Sequence, residues 1–352
     1  MHVASRAPCA ACVEAEEEKG VEGQPMKLAI AGAGMTGAYL LRLLKKEGCE
    51  VHVFDREKGN NCGLTPCAWG TSASFVELVE KAGLKAEKYI LRRFNYVVID
   101  NVRIEADLIT FDKPRLIRDL LGDGPVRLGP VPVGAYGRVI DATGVCRAFL
   151  PPIEDDIILG CCQYLVETEE PLENRIKLGG IGYAWCFPLS PNRFHVGCGS
   201  LIADPQRILA SLGWLESAAP RHKRKILCGC AGTIRLTGPH FSLPFVAEGC
   251  REGVWGVGEA IGCVAPLAGD GIVPGMRSVQ LLLDAWDNPQ QYQEAVLGEF
   301  SWMRDERGVI DRLRTGERVG VREARILRRN SKRMGMRVGL RNALALLRNL
   351  RS

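Results

Sequence analysis

The segment Lys27-Leu28-Ala29-Ile30-Ala31 is apolar after its first residue, the pattern of a strand buried on both faces. A glycine-rich turn leads into Ala38 to Lys46, where apolar residues recur at helical spacing until Gly48 stops the helix. Val51-His52-Val53-Phe54 then predicts a second strand ending at Asp55, so that one strand–helix–strand unit begins at Met26. Residues 56–72 have no period and are rich in Gly, Asn, Pro and Cys, which predicts a long loop of the kind that carries function. A helix around 74–82 follows, then Tyr96-Val97-Val98-Ile99 as a strand of a second sheet, a helix from Lys113 to Leu121, and the strand Arg138-Val139-Ile140. Beyond 151 the pattern changes to strand-like runs at 157–166, 175–179, 182–187 and 193–199 with one helix near 205–215. Gly253 to Val257 returns to a buried strand, Gly271 to Trp286 is helical, and the chain stays helical and basic past 288.

The expected fold is α/β, with a Rossmann-type nucleotide-binding domain interrupted by an antiparallel β-sheet and followed by a helical tail. The nucleotide domain is discontinuous, over 26–150 and 245–290, and includes cap-like elements near 85–110. The inserted substrate domain covers 151–244, and the basic helical C-terminal region covers 291–352. Residues 1–25 hold Glu14, Glu16, Glu17 and Glu18 and lack the basic start and apolar stretch of a secretory signal; they are expected to be a disordered extension.

Composition narrows the class. With 352 residues, 46% hydrophobic and 25% charged, and no apolar run of about 18 residues, the chain reads as soluble and globular without a membrane span. Its 14 cysteines are scattered and accompany no export signal, which points to a reducing, cytoplasmic compartment. Cys9 and Cys12 form a CxxC with no second pair at zinc-like spacing, and His52, His195, His222 and His240 show no ligand spacing, so no metal is expected.

Chemistry concentrates in three glycine-bearing segments. In Gly32-Ala33-Gly34-Met35-Thr36-Gly37, Gly32 permits the tight turn, Gly34 lets the backbone approach a diphosphate, and Gly37 lets the helix pack on the strand. The helix N-terminus offers free N–H groups to the phosphates. Asp55 follows at the distance of a carboxylate that accepts hydrogen bonds from a ribose diol; a solvated strand end is the other reading. Asp141-Ala142-Thr143-Gly144 at a strand end, with Asp141 and Gly144 as its contacts, has the form of the turn that passes beneath the dinucleotide in FAD proteins. Gly258-Glu259-Ala260, Pro266 and Gly269-Asp270-Gly271-Ile272 have the form of a flavin-binding segment, with Glu259 toward the ribityl chain and Gly269, Gly271 and Ile272 at the isoalloxazine edge. The three in order choose FAD over NAD as the cofactor.

Three features carry a closer resemblance: Cys62-Gly63, the run Tyr183-Ala184-Trp185-Cys186-Phe187-Pro188 followed by Val196-Gly197-Cys198-Gly199, and Gly258 to Ile272. Over residues 26–290 the chain resembles the geranylgeranyl reductase family of flavoproteins, in the same broad group as the para-hydroxybenzoate hydroxylase-like enzymes. The resemblance implies an FAD-dependent oxidoreductase that saturates carbon–carbon double bonds of prenyl chains, including those of archaeal membrane lipids, by hydride transfer from the flavin and protonation. It also implies that Cys62 lies near the flavin. Cys67, on the same loop, is a neighbour that could pair with it reversibly, or both are unreactive loop thiols. Tyr183, Trp185 and Phe187 alternate along one strand and share a face, which forms either one wall of a substrate slot or an ordinary sheet core. The family's usual Asp in the flavin-binding segment is replaced by the longer Glu259. The rival readings are a flavin monooxygenase of the same fold and a degenerate flavin- or lipid-binding protein.

Charge adds a partner. The formal charge of +5 conceals a tail, 304–352, that holds fourteen Arg and one Lys against five acidic residues. Val338, Leu340, Ala343, Leu344, Leu347 and Leu350 interleave with Arg337, Arg341, Arg348 and Arg351, the pattern either of a basic amphipathic helix on an anionic membrane or of a helix packed on the protein. A prenylated lipid is the expected substrate, and nucleic acid is not expected because no binding motif accompanies the charge. The electron donor is open between NADPH, ferredoxin and another reduced carrier, because no second glycine loop follows a strand.

Overall fold

The computed structural model describes residues 27–46, 50–56, 67–169, 172–215 and 224–351. The expectations placed on residues 1–25, including Cys9 and Cys12, and on Cys62 and His222 lie outside the described residues.

Two sheets organise the chain. The first contains β1 (Leu28–Ala31), β2 (Val51–Asp55), β6 (Val126–Leu128), β7 (Arg138–Asp141), β13 (Val246–Ala247) and β14 (Val254–Gly256), in the order β13-β14-β7-β1-β2-β6. All neighbours are parallel except the edge strand β13. β1 is paired on both sides over its whole length, Leu28 facing Val51 and Arg138, and all four of its residues are buried. Its unbroken apolar composition follows, because helices cover both faces of a parallel sheet. The helix α1 (Met35–Lys46) packs against α3 (Lys113–Leu121) and α5 (Ile272–Asp284). Asp112 caps α3 by accepting from the Arg115 N–H at 3.1 Å, with Pro114 in the first turn, where no N–H is needed.

The second sheet is larger. It contains β3 (Gly70–Ser72), β4 (Ile90–Ile99), β5 (Val102–Phe111), β8 (Ile158–Glu167), β9 (Arg175–Leu178), β10 (Gly182–Pro188), β11 (Arg193–Ser200), β12 (Lys225–Arg235) and β15 (Met336–Arg337). Its order is β12-β8-β11-β10-β9-β4-β5-β15, with β3 also paired to β5. The fold class read from the sequence is the one observed; within the elements near 85–110, β4 and β5 pair in this second sheet, while Ala86, Tyr89, Ile109 and Phe111 share a core with the first. The β4–β5 hairpin turns at Asp100 and Asn101, both at positive φ (48° and 68°), as a two-residue hairpin turn requires. β4 then pairs in parallel with β9, and the Asp100 carboxylate accepts from the Leu178 N–H at 3.1 Å. Hydrogen bonds across a long sequence separation thus decide to which sheet the hairpin belongs.

The remaining helices are α2 (Phe75–Lys81), α4 (Pro205–Leu212), α6 (Pro289–Glu299), α7 (Ser301–Arg314), α8 (Val321–Ser331) and α9 (Leu340–Arg351). α4 lies on one face of the second sheet, where Leu209 joins Cys162, Val166, Ala184, Cys186, Phe194, Val196 and Cys198 in a core. α9 differs from the membrane-lying form of its pattern. Ala343, Leu346, Leu347 and Leu350 are buried against Val97, Ile99, Ile104, Val309 and Leu313, and the Leu350 carbonyl accepts from the Ile181 N–H at 2.8 Å. The apolar stripe is occupied by the protein's own core, and of the six apolar positions in the pattern only Leu340, 36% exposed, faces out. Among the described residues no helix is long and apolar enough to cross a membrane.

Leu347 is 0% exposed, so Leu347→Ala is expected to lower unfolding free energy by about 2–5 kcal/mol in urea titrations, against less than about 0.5 kcal/mol for Leu340→Ala. Equal small effects would mean that α9 does not pack in solution as described.

Candidate functional site

The two sheets and the C-terminal helices line a partly open cavity of about 2230 Å³. Part of its lining comes from the loop after β1. Gly32 has φ +106°, and a Cβ there would sit 2.4 Å from the Ala142 carbonyl oxygen; a Cβ on Gly37 would sit 1.9 Å from the Gly32 oxygen. Those two glycines permit backbone crossings. Gly34 differs, because a Cβ on it would meet nothing within 4 Å, and the residue lines the cavity just ahead of α1. An open backbone at a helix N-terminus is the form of a phosphate cradle. Asp55 lines the same region at the end of β2 and accepts from the Arg56 N–H at 2.8 Å.

Asp141 does not reach the cavity. It is fully buried, and it accepts from the Thr143 N–H (3.0 Å), the Thr143 hydroxyl (2.6 Å) and the Phe149 N–H (2.8 Å). Its role is to hold the turn that presents Ala142, Thr143 and Gly144 to the cavity, a correction to its reading as a cofactor contact. Gly258 is corrected likewise: at φ +64°, a Cβ on it would strike the Thr36 hydroxyl at 2.7 Å, so it serves close packing on α1.

Glu259, Gly269, Asp270, Gly271 and Ile272 all line the cavity. Glu259 Oε1 accepts from the Arg235 N–H at 2.7 Å; burial pushes its carboxyl upward against that hydrogen bond and the Arg235 charge. Asp270 accepts from the Ile272 N–H and the Thr71 hydroxyl, each at 2.8 Å, while burial raises its pKa to about 6. Lys113, buried at the start of α3, adds a cation to the lining. Cys67 also lines it and is a free thiol.

On β10 the side chains of Tyr183, Trp185 and Phe187 line the cavity, while Ala184 and Cys186 point into the core beneath α4. Their cross-strand partners on β11 are Gly199, Gly197 and His195. Gly197 makes room: a Cβ on it would lie 2.2 Å from Cζ2 of Trp185, whose ring covers that position. Tyr183 donates its hydroxyl hydrogen to the Ala268 carbonyl, joining the aromatic wall to the segment before Gly269. His195 packs edge-on against Trp69 at 4.5 Å between centroids, and burial pushes its pKa down to about 4, so it is neutral.

Two arginines that no sequence motif singled out connect these parts. Arg235 on β12 makes a two-pronged ion pair with Asp156 (2.9 Å at both Nε and Nη2) and donates to the carbonyls of Val145 (2.8 Å) and Glu259 (3.0 Å). Arg147 donates to Pro151 O at 2.6 Å and Pro244 O at 2.8 Å and to Ala260 O; burial, then the nearby Arg235 charge, lowers its pKa to about 10. Glu306 on α7 was also missed. It is buried, lines the cavity, and accepts from the Leu267 N–H at 3.1 Å; burial raises its pKa to about 7 against that hydrogen bond and one from Asn330. Among the described residues no group of three or more His, Cys, Asp or Glu could hold a metal ion.

No family model matches the chain. It is 25% identical to an uncharacterized protein of Methanocaldococcus jannaschii over 358 residues, covering 86% of this chain and 93% of that protein. It is 26% identical to digeranylgeranylglycerophospholipid reductase 1 of Methanopyrus kandleri over 290 residues, 69% of this chain and 75% of the relative. A solved structure of a geranylgeranyl bacteriochlorophyll reductase-like protein from Thermoplasma acidophilum superposes with a TM-score of 0.65 at 16% identity, over 82% of this chain and 87% of that one. A probable FAD-dependent monooxygenase from Pseudomonas aeruginosa superposes at 0.54 and 16% identity, over 86% and 100%. The chain resembles the geranylgeranyl reductases, and it shares their fold with flavin monooxygenases.

Asp270 and Glu306 carry a pH signature. Their folded pKa values, about 6 and about 7, lie above the ordinary 3.8 and 4.5, so between these limits the folded chain holds more protons than the unfolded one. The stability they contribute is fully present below the ordinary values and is lost as pH rises through the folded ones. Urea titrations of the protein without cofactor from pH 4 to 7 are expected to show that fall. Asp270→Asn should flatten its lower part and Glu306→Gln its upper part; unchanged slopes would contradict the burial of both acids.

Proposed function

We propose that this chain is an FAD-dependent reductase that saturates carbon–carbon double bonds in prenyl chains carried by lipids. The observation that carries this reading is one continuous cavity of about 2230 Å³, which joins a phosphate-type glycine cradle to aromatic and aliphatic walls. Pockets for one small molecule measure roughly 300–1,000 Å³, so the space suits a dinucleotide and a long apolar chain together. The resemblance to a digeranylgeranylglycerophospholipid reductase supports the substrate class.

The residues present fit FAD. Gly34 and the first turn of α1 would take the diphosphate, Asp55 the ribose, and Gly269 to Ile272 at the start of α5 the isoalloxazine edge. Reduced FAD, when bound, supplies the hydride. The chain's own part is to orient and to protonate. Tyr183, Trp185 and Phe187 would give an aromatic wall that limits the conformations of a flexible chain. Glu306, a buried acid of the cavity lining whose pKa burial raises to about 7, would supply the proton for the second alkene carbon.

Anaerobic incubation of dithionite-reduced protein with a geranylgeranyl lipid, followed by mass spectrometry, is expected to show two hydrogens gained per bond. Oxygen- and NADPH-dependent gain of one oxygen atom would replace this reading by the monooxygenase one, which the shared fold favours second. Gly34→Val and Gly37→Val separate binding from folding. The first has open space at its Cβ and is expected to melt like the parent without flavin but to bind FAD about tenfold or more weakly, a loss of about 1.4 kcal/mol or more. The second should fail to fold, because its Cβ would overlap the Gly32 carbonyl. Full FAD affinity in Gly34→Val would move the phosphate site elsewhere.

A further inference from the structure

α8 and α9 have two unlike faces. Inward, Leu327, Ser331, Leu346 and Leu350 line the cavity, together with Met334 and Val338 from the connection between the helices. Outward, α8 and the residue after it carry Arg322, Arg325, Arg328, Arg329 and Lys332, and α9 carries Arg341 and Arg348, all exposed. On α8 the spacing of 322, 325, 328, 329 and 332 places the cations opposite Ala324, Leu327 and Ser331. Arg329 pairs with Asp305, and Arg337 in β15 pairs with Glu105. Arg322, Arg325, Arg328, Lys332, Arg341 and Arg348 form no ion pair among the described residues. Val321, 50% exposed, and Leu340, 36% exposed, stand among them.

Like charges gathered on one face repel one another, and a fold gains nothing from leaving them unneutralised. An anionic surface neutralises them, each cation adding to the attraction within a Debye length of about 8–10 Å. The apolar stripe of α9 is buried in the protein's core, so such contact is electrostatic and does not need the helix to insert. α8 and α9, VREARILRRNS and LRNALALLRNLR, contain no aromatic ring on which a base could stack, which disfavours single-stranded nucleic acid. Beneath the same two helices the cavity wall is apolar at Leu327, Met334, Val338, Leu346 and Leu350, which suits an occupant that partitions into lipid.

We propose that the outer face of α8 and α9 docks on a surface of anionic lipid, and that the cavity beneath it is loaded from that phase. The loading rests on the prenyl-lipid reading above; the docking does not.

The full chain is sedimented with vesicles of phosphatidylcholine alone or with about one third phosphatidylglycerol, at low salt and at about 0.5 M salt. Binding is expected to the anionic vesicles at low salt only. The quadruple variant R322E/R325E/R341E/R348E should bind about tenfold or more weakly with an unchanged melting temperature; should it melt lower, R322Q/R325Q/R341Q/R348Q serves in its place. Equal binding to neutral vesicles, binding that survives high salt, undiminished binding by the folded variant, or displacement of vesicles by a single-stranded oligonucleotide would overturn the proposal. Neither reductant nor prenyl lipid enters the assay, so failure of the reductase reading leaves this result standing, and failure of docking leaves the reductase reading untouched.

Discussion

The cavity depends on one guanidinium. Arg235 reaches from β12 of the second sheet to the carbonyls of Val145 and Glu259, which lie in loops after strands of the first. Its remaining N–H groups meet the Asp156 carboxylate, itself held by the Thr237 hydroxyl, so the charge is buried with its donors occupied. Removing one partner of such a pair leaves an uncompensated buried charge and costs about 3–5 kcal/mol, which makes the arrangement intolerant of partial solutions. A planar fork with fixed donors also sets direction, which a lysine could not do. This polar joint works beside apolar packing that also spans the two sheets, where Ile109 and Phe111 of β5 share a core with β1 and β7.

The second sheet meets a complementary demand. One of its faces is packed and the other must stay open. On the packed face Ala184, Cys186, Val196 and Cys198 interlock beneath α4. On the cavity face large rings alternate with bare backbone, Tyr183 opposite Gly199 and Trp185 opposite Gly197. The Trp185 ring covers Gly197, while a Cβ on Gly199 would instead meet Leu159 and Cys161. A β-branched residue at Gly197 would turn the Trp185 ring into the cavity, so this glycine shapes the wall as much as the ring does.

What the sequence revealed was local. The strand, glycine turn and helix from Leu28 onward, the helix from Lys113 to Leu121 and the strand at Arg138 depend on periods and caps that a short window contains. The site was legible where backbone conformation itself demands a residue type, as at Gly32 and Gly37. Relations across the chain were not legible. The Asp100-Asn101 turn is a hairpin signal, yet nothing nearby states that β4 will pair with β9, nearly eighty residues on. Arg147, Arg235 and Glu306 stand in no motif, since an arginine or a glutamate in a strand or helix has the same local pattern whether it faces solvent or a buried partner. The stripe on α9 announced that something apolar would cover it but not what, and the β4–β5 strands answer that question.

Glu259 shows how a departure from the expected residue acquires meaning from its surroundings. The family pattern places the shorter Asp after the glycine, and the extra methylene puts direct contact with a ribityl chain in question. In the structure that methylene extends the carboxylate, and Oε1 takes the backbone N–H of Arg235 at 2.7 Å. The same arginine donates back to the Glu259 carbonyl at 3.0 Å, so the two residues are linked reciprocally through backbone and side chain. Oε2 stands over Gly144, 3.0 Å from where a Cβ would project, which explains why that turn is made with glycine at φ +65°. The longer acid thereby ties the loop after β14, the turn after β7 and the end of β12 into one unit. A ligand that drew Oε2 toward itself would act on the turn after β7 and the end of β12 together.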